Sequence, residues 1–412
     1  MQTHLADEFK DTPEGTQAEA ILRKCVHCGF CTATCPTYQL LGDELDGPRG
    51  RIYLMKQVLE GATVSRSTQQ HLDRCLTCRN CETTCPSGVQ YGHLVEIVRP
   101  IVDAKVPRPA REQALRWLLK EGLTSPLFAP AMRLGQLVRP LLPAALKAKV
   151  PPAPTSDAHR WPTRAHSRKV MLLMGCVQPT MMPNINSATA RVLDAAGIQS
   201  MVASGAGCCG AIRTHLNDTQ GGLADMRRNI DAWWPQVSSH AIEAIVINAS
   251  GCSVAVKDYG HALAADPDYA DKAQRVAALA RDVSELLPEL VPALKPKIRL
   301  RQVATQLAFH PPCTLQHGQQ LRGGVETHLR ALGFDVNLTR EESHLCCGSA
   351  GTYSVLQPEL AYLLRDRKLT HLAALDAATI VSANVGCIAH LQSGTATPVK
   401  HWIEVLDEAL AR

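Results

Sequence analysis

Sixteen cysteines punctuate this 412-residue chain, and half of them fall in two matching runs. Residues 25–36 read CVHCGFCTATCP and residues 75–86 read CLTCRNCETTCP. Each run is Cys-x-x-Cys-x-x-Cys-x-x-x-Cys-Pro. Three thiolates two residues apart can wrap one corner of a cubane and bind three irons. The fourth iron needs a sulfur from further off. Where two such runs occur together, the fourth Cys of each serves the other [4Fe–4S] cluster. We therefore expect Cys25, Cys28, Cys31 and Cys85 to hold one cluster, and Cys75, Cys78, Cys81 and Cys35 to hold the other. Pro36 and Pro86 disfavour helix at the Cys before them and turn the chain away. Zinc sites typically use paired C-x₂₋₄-C knuckles, not a triplet plus one. Disulfides need an oxidising compartment.

The other eight cysteines form two sets, Cys176, Cys208, Cys209, Cys252 and Cys313, Cys346, Cys347, Cys387. Paired members lie 137, 138 and 135 residues apart, so no cysteine is left over. Each set reads Cys…Cys-Cys-Gly…Cys, and the Gly permits a tight turn. Four thiolates could hold an iron–sulfur centre or a structural Zn(Cys)₄ site. A vicinal disulfide or a purely structural pair is the alternative. GSAG (348–351) is expected to open a helix whose N-terminus favours anionic thiolates. We expect no catalytic residue on this chain.

The elements around the cysteines follow from periodicity. RIYLMKQVLEG (51–61) is apolar at 52, 54, 55, 58 and 59, a helix stopped by Gly61. The turn DGPRGR (46–51) precedes it, and Arg49 or Arg51 could donate to cluster sulfides or simply be solvated. From residue 167 the chain repeats: KVMLLMGC (169–176) matches TQLAFHPPC (305–313), and AGCCGA (206–211) matches LCCGSA (345–350). IVINASGC (245–252) likewise matches IVSANVGC (380–387), and DVSELLPEL (282–290) matches WIEVLDEAL (402–410). Each half should run strand, helix, strand, helix, strand, helix around a parallel sheet, with cysteines at strand ends. The fold expected is α+β multidomain: residues 1–98 an α-helical ferredoxin domain, 99–166 a basic helical linker, and 167–292 and 300–412 two small α/β units.

Composition excludes several roles. A net charge of +5 is modest for this length and does not point to nucleic acid. The basic excess is local: residues 99–169 hold 14 Lys/Arg against 4 Asp/Glu, and 11 of the 26 prolines. LRWLLKEGL (115–123) and MRLGQLVRPLL (132–142) read as amphipathic helices, and 150–164 as a Pro-rich linker. Such a segment could lie on an anionic membrane, grip another subunit or pack on its own domain. The polar N-terminus has no secretory pattern and no apolar run would span a bilayer. The expected location is cytoplasmic, peripheral on the inner face of the cell membrane. GAGCCG (205–210) departs from the G-x-G-x-x-G dinucleotide pattern, and no flavin motif is evident.

The Cys…Cys-Cys-Gly…Cys halves resemble the CCG, or cysteine-rich, domain of heterodisulfide reductases and their relatives. There the pattern ends in Cys-x-x-Cys. Here the last position is Ala255 in the first half and His390 in the second, so the fifth thiol is missing from both; His390 could substitute, though a lone His is more often a surface or satisfied core residue. Two ferredoxin runs followed by two CCG halves resemble the glycolate oxidase (glycolate dehydrogenase) iron–sulfur subunits. Lactate-utilisation iron–sulfur proteins and the iron–sulfur subunits of anaerobic glycerol-3-phosphate dehydrogenases share the order. VHCGFCTATCPTYQLLGDELDGPRGRIYLMKQVLEG, CLTCRNCETTCPSG, SHLCCGSAGTY and NIDAWWP favour the glycolate oxidase family. The resemblance implies an electron-transfer subunit in a hetero-oligomer with FAD-containing glycolate oxidase subunits that oxidise glycolate, or D-lactate. It implies a quinone-type acceptor in the membrane. Two other classes stay open: a thiol–disulfide reductase, against which the missing fifth thiols speak, and a non-redox protein braced by its clusters.

Overall fold

The computed structural model describes residues 1–143, 147, 150–154 and 156–410. Ala144–Ala145–Leu146, Ala148, Lys149 and Thr155 of the expected linker lie outside the described residues.

The N-terminal part is helical, as the spacing of its apolar residues dictates. Helix α1 (Pro13–Lys24) starts where the Thr12 hydroxyl accepts from Gly15 N–H, with Pro13 in the first turn. It buries Ala18, Ile21 and Leu22 on one face. Helix α2 (Pro36–Leu41) follows the first cysteine run. Helix α3 (Pro48–Leu59) buries Ile52, Met55, Val58 and Leu59. It begins inside the stretch read as a turn: Pro48 sets the first turn, so Arg49 and Arg51 are already helical. Helix α4 (Arg66–Asp73) precedes the second run, and the short helix α5 (Asn80–Thr84) lies within it and carries Cys81. Helix α6 (Tyr91–Lys105) closes the core with Leu94, Val95, Val98 and Val102. Helices α7 (Ala110–Thr124) and α8 (Phe128–Leu137) occupy the basic stretch.

Two four-stranded, all-parallel sheets follow. The first unit contains β1 (Arg168–Leu172), α9 (Pro183–Ala195), β2 (Ile198–Met201), α10 (Thr219–Ser238) and β3 (Ala244–Ile247). It continues with α11 (Ser250–Lys257), β4 (Ala280–Asp282) and α12 (Leu287–Leu294). The second contains β5 (Gln306–Phe309), α13 (Gly324–Ala331), β6 (Asp335–Asn337), α14 (Pro358–Ala373) and β7 (Thr379–Ser382). It ends with α15 (Val385–Gln392), β8 (Val399–His401) and α16 (Trp402–Glu408). The orders are β2-β1-β3-β4 and β6-β5-β7-β8, so the repeat extends to topology. Each half has one strand more than its periodicity suggests. The extra strands, β4 and β8, are three residues long and carry no pattern of their own. The helix expected after GSAG is a single turn, Tyr353–Leu356, because Pro358 starts a new helix directly behind it.

The units are not beads on a string. One apolar core runs from Ile185 and Leu193 of α9 to Trp402 and Leu406 of α16. Arg191 pairs with Asp407 at 2.7 Å across the same seam, and Ser250 N–H donates to Ala383 O at 3.0 Å.

Candidate iron–sulfur centres

The two cysteine runs fold into the same loop. His27 and Thr77, two residues after the first Cys of each run, have φ of 55° and 51°. Gly29 and Arg79, one after the second Cys, have φ of 85° and 57°. Left-handed backbone at a β-branched Thr costs of order 1–3 kcal/mol and persists only when its surroundings over-determine it. Alternating these conformations curls each loop so that its thiols converge. Thr77 N–H then points at Cys75 Sγ at 3.4 Å.

The convergence is crossed between the runs. Cys25, Cys28, Cys31 and Cys85 line one cavity with Gly29, Pro48, Ile52 and Tyr91, and Cys81 of the other set also reaches its wall. Cys31 is pushed up to about 11 by burial and by Cys25, and Cys85 adds to this. On the other side, burial and the neighbouring Cys78, Cys75 and Cys35 hold the Cys81 thiol far above its ordinary value. Protons held by mutually repelling thiols are what a cation would displace. Tyr91 lines the first cavity, and its buried hydroxyl faces the Cys75 thiol of the second set, which it helps to bring down. Donor sets of four sulfurs each and strained, matched loops fit two cubane clusters.

Arg51 is 1 % exposed beside the second set. It donates to His71 O at 2.7 Å and Thr37 Oγ1 at 3.1 Å, and pairs with Asp46 at 3.2 Å. Asp46 also binds Arg74 at 2.8 Å. Burial pushes the guanidinium down, but Cys75, Tyr91, Cys35 and Asp46 outweigh it, so Arg51 stays charged. Burial pushes Cys75 up, yet Arg51 and Arg99 bring it below the ordinary thiol value. Arg51 thus acts on the sulfurs through its charge, with these donors committed to the fold. Arg49 spends its Nε and Nη2 donors on Glu44 at 2.6 and 3.0 Å. Sequence reasoning missed Arg99, whose Nη2 donates to Cys75 O at 2.8 Å from α6.

In each α/β unit the four cysteines come together at the C-terminal edge of the sheet. Cys176 lies in the loop after β1, and Cys252 in α11 after β3. The neighbouring Cys176 and Cys209 hold Cys208 well below the usual thiol range, while Cys208 and Cys252 push Cys209 up. In the second unit Cys313 and Cys346 lie 3.8 Å apart, and Cys347 faces Cys387. The glycine after each cysteine pair is left-handed, Gly210 at φ 91° and Gly348 at φ 88°. A Cβ on Gly348 would collide with Ala361 O. Gly348→Ala is therefore expected to destabilise the protein by about 2 kcal/mol or more, read as a lowered anaerobic Tm. Position 390 does not simply replace the missing thiol: His390 Nε2 is engaged with Ala361 O at 3.1 Å.

The second run packs directly on the second unit. Leu76 shares an apolar cluster with Cys313, Cys346 and Tyr353, and Cys78 packs against it. Burial and Cys313 together raise the Cys78 thiol. Asn80 Nδ2 reaches His344 O at 3.3 Å, Thr83 Oγ1 meets His317 Nδ1 at 2.9 Å, and Tyr353 OH donates to Arg74 O at 3.1 Å. A cavity of about 1120 Å³ lies between the helical part and both units. Its walls include Cys78, Cys176, Cys252, Cys313 and Cys387 and the inner faces of α7 and α8.

Comparison with known proteins agrees with this layout. A family model described as a 4Fe-4S dicluster domain matches residues 21–89. A cysteine-rich domain model matches residues 170–257 and 307–392. The chain is 54% identical over 413 residues to the glycolate oxidase iron-sulfur subunit of Escherichia coli K12, covering 100% of both. It is 29% identical to the probable glycolate oxidase iron-sulfur subunit of Bacillus subtilis 168, over 95% of this chain and 92% of that protein. Lactate utilization protein A of Geobacillus thermodenitrificans is 25% identical over 58% of this chain and 98% of its own length.

Proposed function

Because the chain belongs to the glycolate oxidase iron–sulfur subunit family, we propose that it serves a membrane-associated complex in which FAD-carrying subunits oxidise glycolate, and D-lactate, while this subunit leads the electrons to a quinone. The clusters supply one-electron transfer when bound. Their ligands in this reading are Cys25, Cys28, Cys31 and Cys85 for one, and Cys75, Cys78, Cys81 and Cys35 for the other. Cys176, Cys208, Cys209 and Cys252, and Cys313, Cys346, Cys347 and Cys387, are the ligands of the two α/β units. The ferredoxin part is residues 1–98, the linker 99–166, and the units 167–292 and 300–412.

The observation that carries the reading is the packing of Cys78 against Cys313 and Cys346. It sets ferredoxin-type and cysteine-rich sites side by side, joined through apolar side chains, which gives charge a short path between them. The protein's share is burial, orientation and fixed charge. The test is to isolate the complex anaerobically, add glycolate or D-lactate, and follow flavin bleaching and then quinone reduction. Flavin reduction with no quinone reduction would oppose the acceptor assignment. No flavoprotein partner at all would oppose the complex.

Helices α7 and α8 support the membrane part of the reading. Leu127, Leu134, Leu137 and Leu141 are 74, 61, 79 and 85% exposed and recur at helical spacing. Trp117 and Leu118 of α7 are also exposed, and Arg133 and Arg139 lie within the same stretch. Apolar side chains beside arginines suit an anionic lipid surface. No helix among the described residues is long and apolar enough to cross a membrane. Replacing Leu134, Leu137 and Leu141 with Glu should weaken binding to anionic vesicles by at least ~100-fold, given ~1.5–3 kcal/mol per buried Leu. Unchanged vesicle binding would assign the patch to a protein partner.

A further inference from the structure

We infer that His310 is a metal ligand: with Cys347 and Cys387 it completes a mixed thiolate–imidazole centre in the second α/β unit, one that the first unit cannot build. The inference rests on the reading of Cys313, Cys346, Cys347 and Cys387 as metal ligands and adds a donor of a different kind.

His310 stands at the end of β5, three residues before Cys313, and is 1 % exposed. Its backbone is pinned: its N–H donates to Val381 O at 2.8 Å, and its carbonyl accepts from Ser382 Oγ at 2.9 Å. Pro311 and Pro312 follow, both buried, and restrict the chain up to Cys313. The ring is therefore held where it is for a reason other than backbone freedom. Both of its nitrogens, Nδ1 and Nε2, are buried and lack any hydrogen-bond partner. Interior imidazoles normally satisfy at least one nitrogen, because an unpaired buried polar atom forfeits its hydration. Here a ring nitrogen and the sulfurs of Cys347 and Cys387 all lie within 4.8 Å of one another. Two thiols and an orphaned imidazole converging on one point are a soft donor set, suited to zinc or to an iron of an iron–sulfur centre.

The first unit gives an internal control. The residue three before Cys176 is Leu173, which is 2 % exposed and packs in an apolar cluster with Met171 and Cys209. The repeat therefore offers four sulfurs in the first unit, and four sulfurs plus an imidazole in the second. That second centre is also the one against which Cys78 packs.

The test uses the full-length chain purified anaerobically, in wild-type, His310→Gln and His310→Cys forms. Metal is counted, and its neighbours are read by X-ray absorption at the zinc edge and by pulsed EPR for nitrogen coupling to iron. The expected wild type holds metal beyond the roughly eight irons of two cubanes, with one nitrogen among its ligands. Nitrogen at the zinc edge identifies zinc, and nitrogen coupling in EPR identifies iron. His310→Gln should lose that extra metal or bind it at least ~10-fold more weakly. His310→Cys should keep the metal and lose the nitrogen signature. Extra metal with only sulfur around it in the wild type overturns the role of His310 and leaves the thiolate reading intact. No metal beyond two cubanes overturns both. The wild-type spectra decide even where a variant does not accumulate.

Discussion

Cys28→Ser should leave glycolate-dependent reduction of the flavin partner intact and stop onward transfer to the acceptor. Cys28 is the exposed member of the first set, in a loop shaped by left-handed His27 and Gly29. A serine there keeps the size of the side chain and removes the sulfur. Loss of a mere outer-shell partner costs roughly 10–100-fold at a metal site, and loss of a direct ligand should cost at least as much. In the proposed complex the flavin chemistry belongs to another subunit, so its rate should stay within about twofold of wild type in single-turnover mixing. Onward transfer at the wild-type rate would contradict the relay, because the first set would then be dispensable.

Arg51→Met should have the second large effect, on stability and on potential together. Arg51 lies buried between Asp46, Thr37 and the carbonyl of His71. Removing one partner of a buried ion pair strands the other charge, typically at a cost of about 3–5 kcal/mol. Arg74 remains on Asp46 at 2.8 Å, which places the expected loss at the lower end. The same substitution withdraws a positive charge from beside Cys75 and Cys35. A unit charge a few ångströms away in a medium of effective dielectric near 20 is worth a few kcal/mol, on the order of 100 mV for one electron. The second cluster should become harder to reduce by that amount in an EPR-monitored redox titration. An unchanged potential in a folded variant would show that the Arg51 charge does not reach the sulfurs.

These residues differ in how plainly the sequence announces them. The cysteine runs are legible because cluster chemistry fixes the spacing, and the repeat is legible because both halves keep Cys-Cys-Gly with left-handed Gly210 and Gly348. The helical core around α1, α3 and α6 follows from apolar residues at helical spacing. Strands β4 and β8 escape because ARD and VKH are too short to carry a period; neighbouring strands define them. The helix start at Pro48, three residues before the expected one at Arg51, escapes because Pro48 signals a turn as readily as a first helical turn. Contacts such as Asn80 with His344 join residues 264 apart and leave no local trace. His310 has a signal that single-residue reading passes over. Laying FHPPC over LLMGC puts a histidine against a leucine at an otherwise matched buried position.

The central claim is that this chain is a carrier of iron–sulfur centres, and its most direct measurement is the iron and acid-labile sulfide content of the anaerobically purified protein, with its visible spectrum. The account predicts a brown protein with at least about eight irons and a matching amount of sulfide per chain, bleached by dithionite. A colourless protein with no labile sulfide would contradict it.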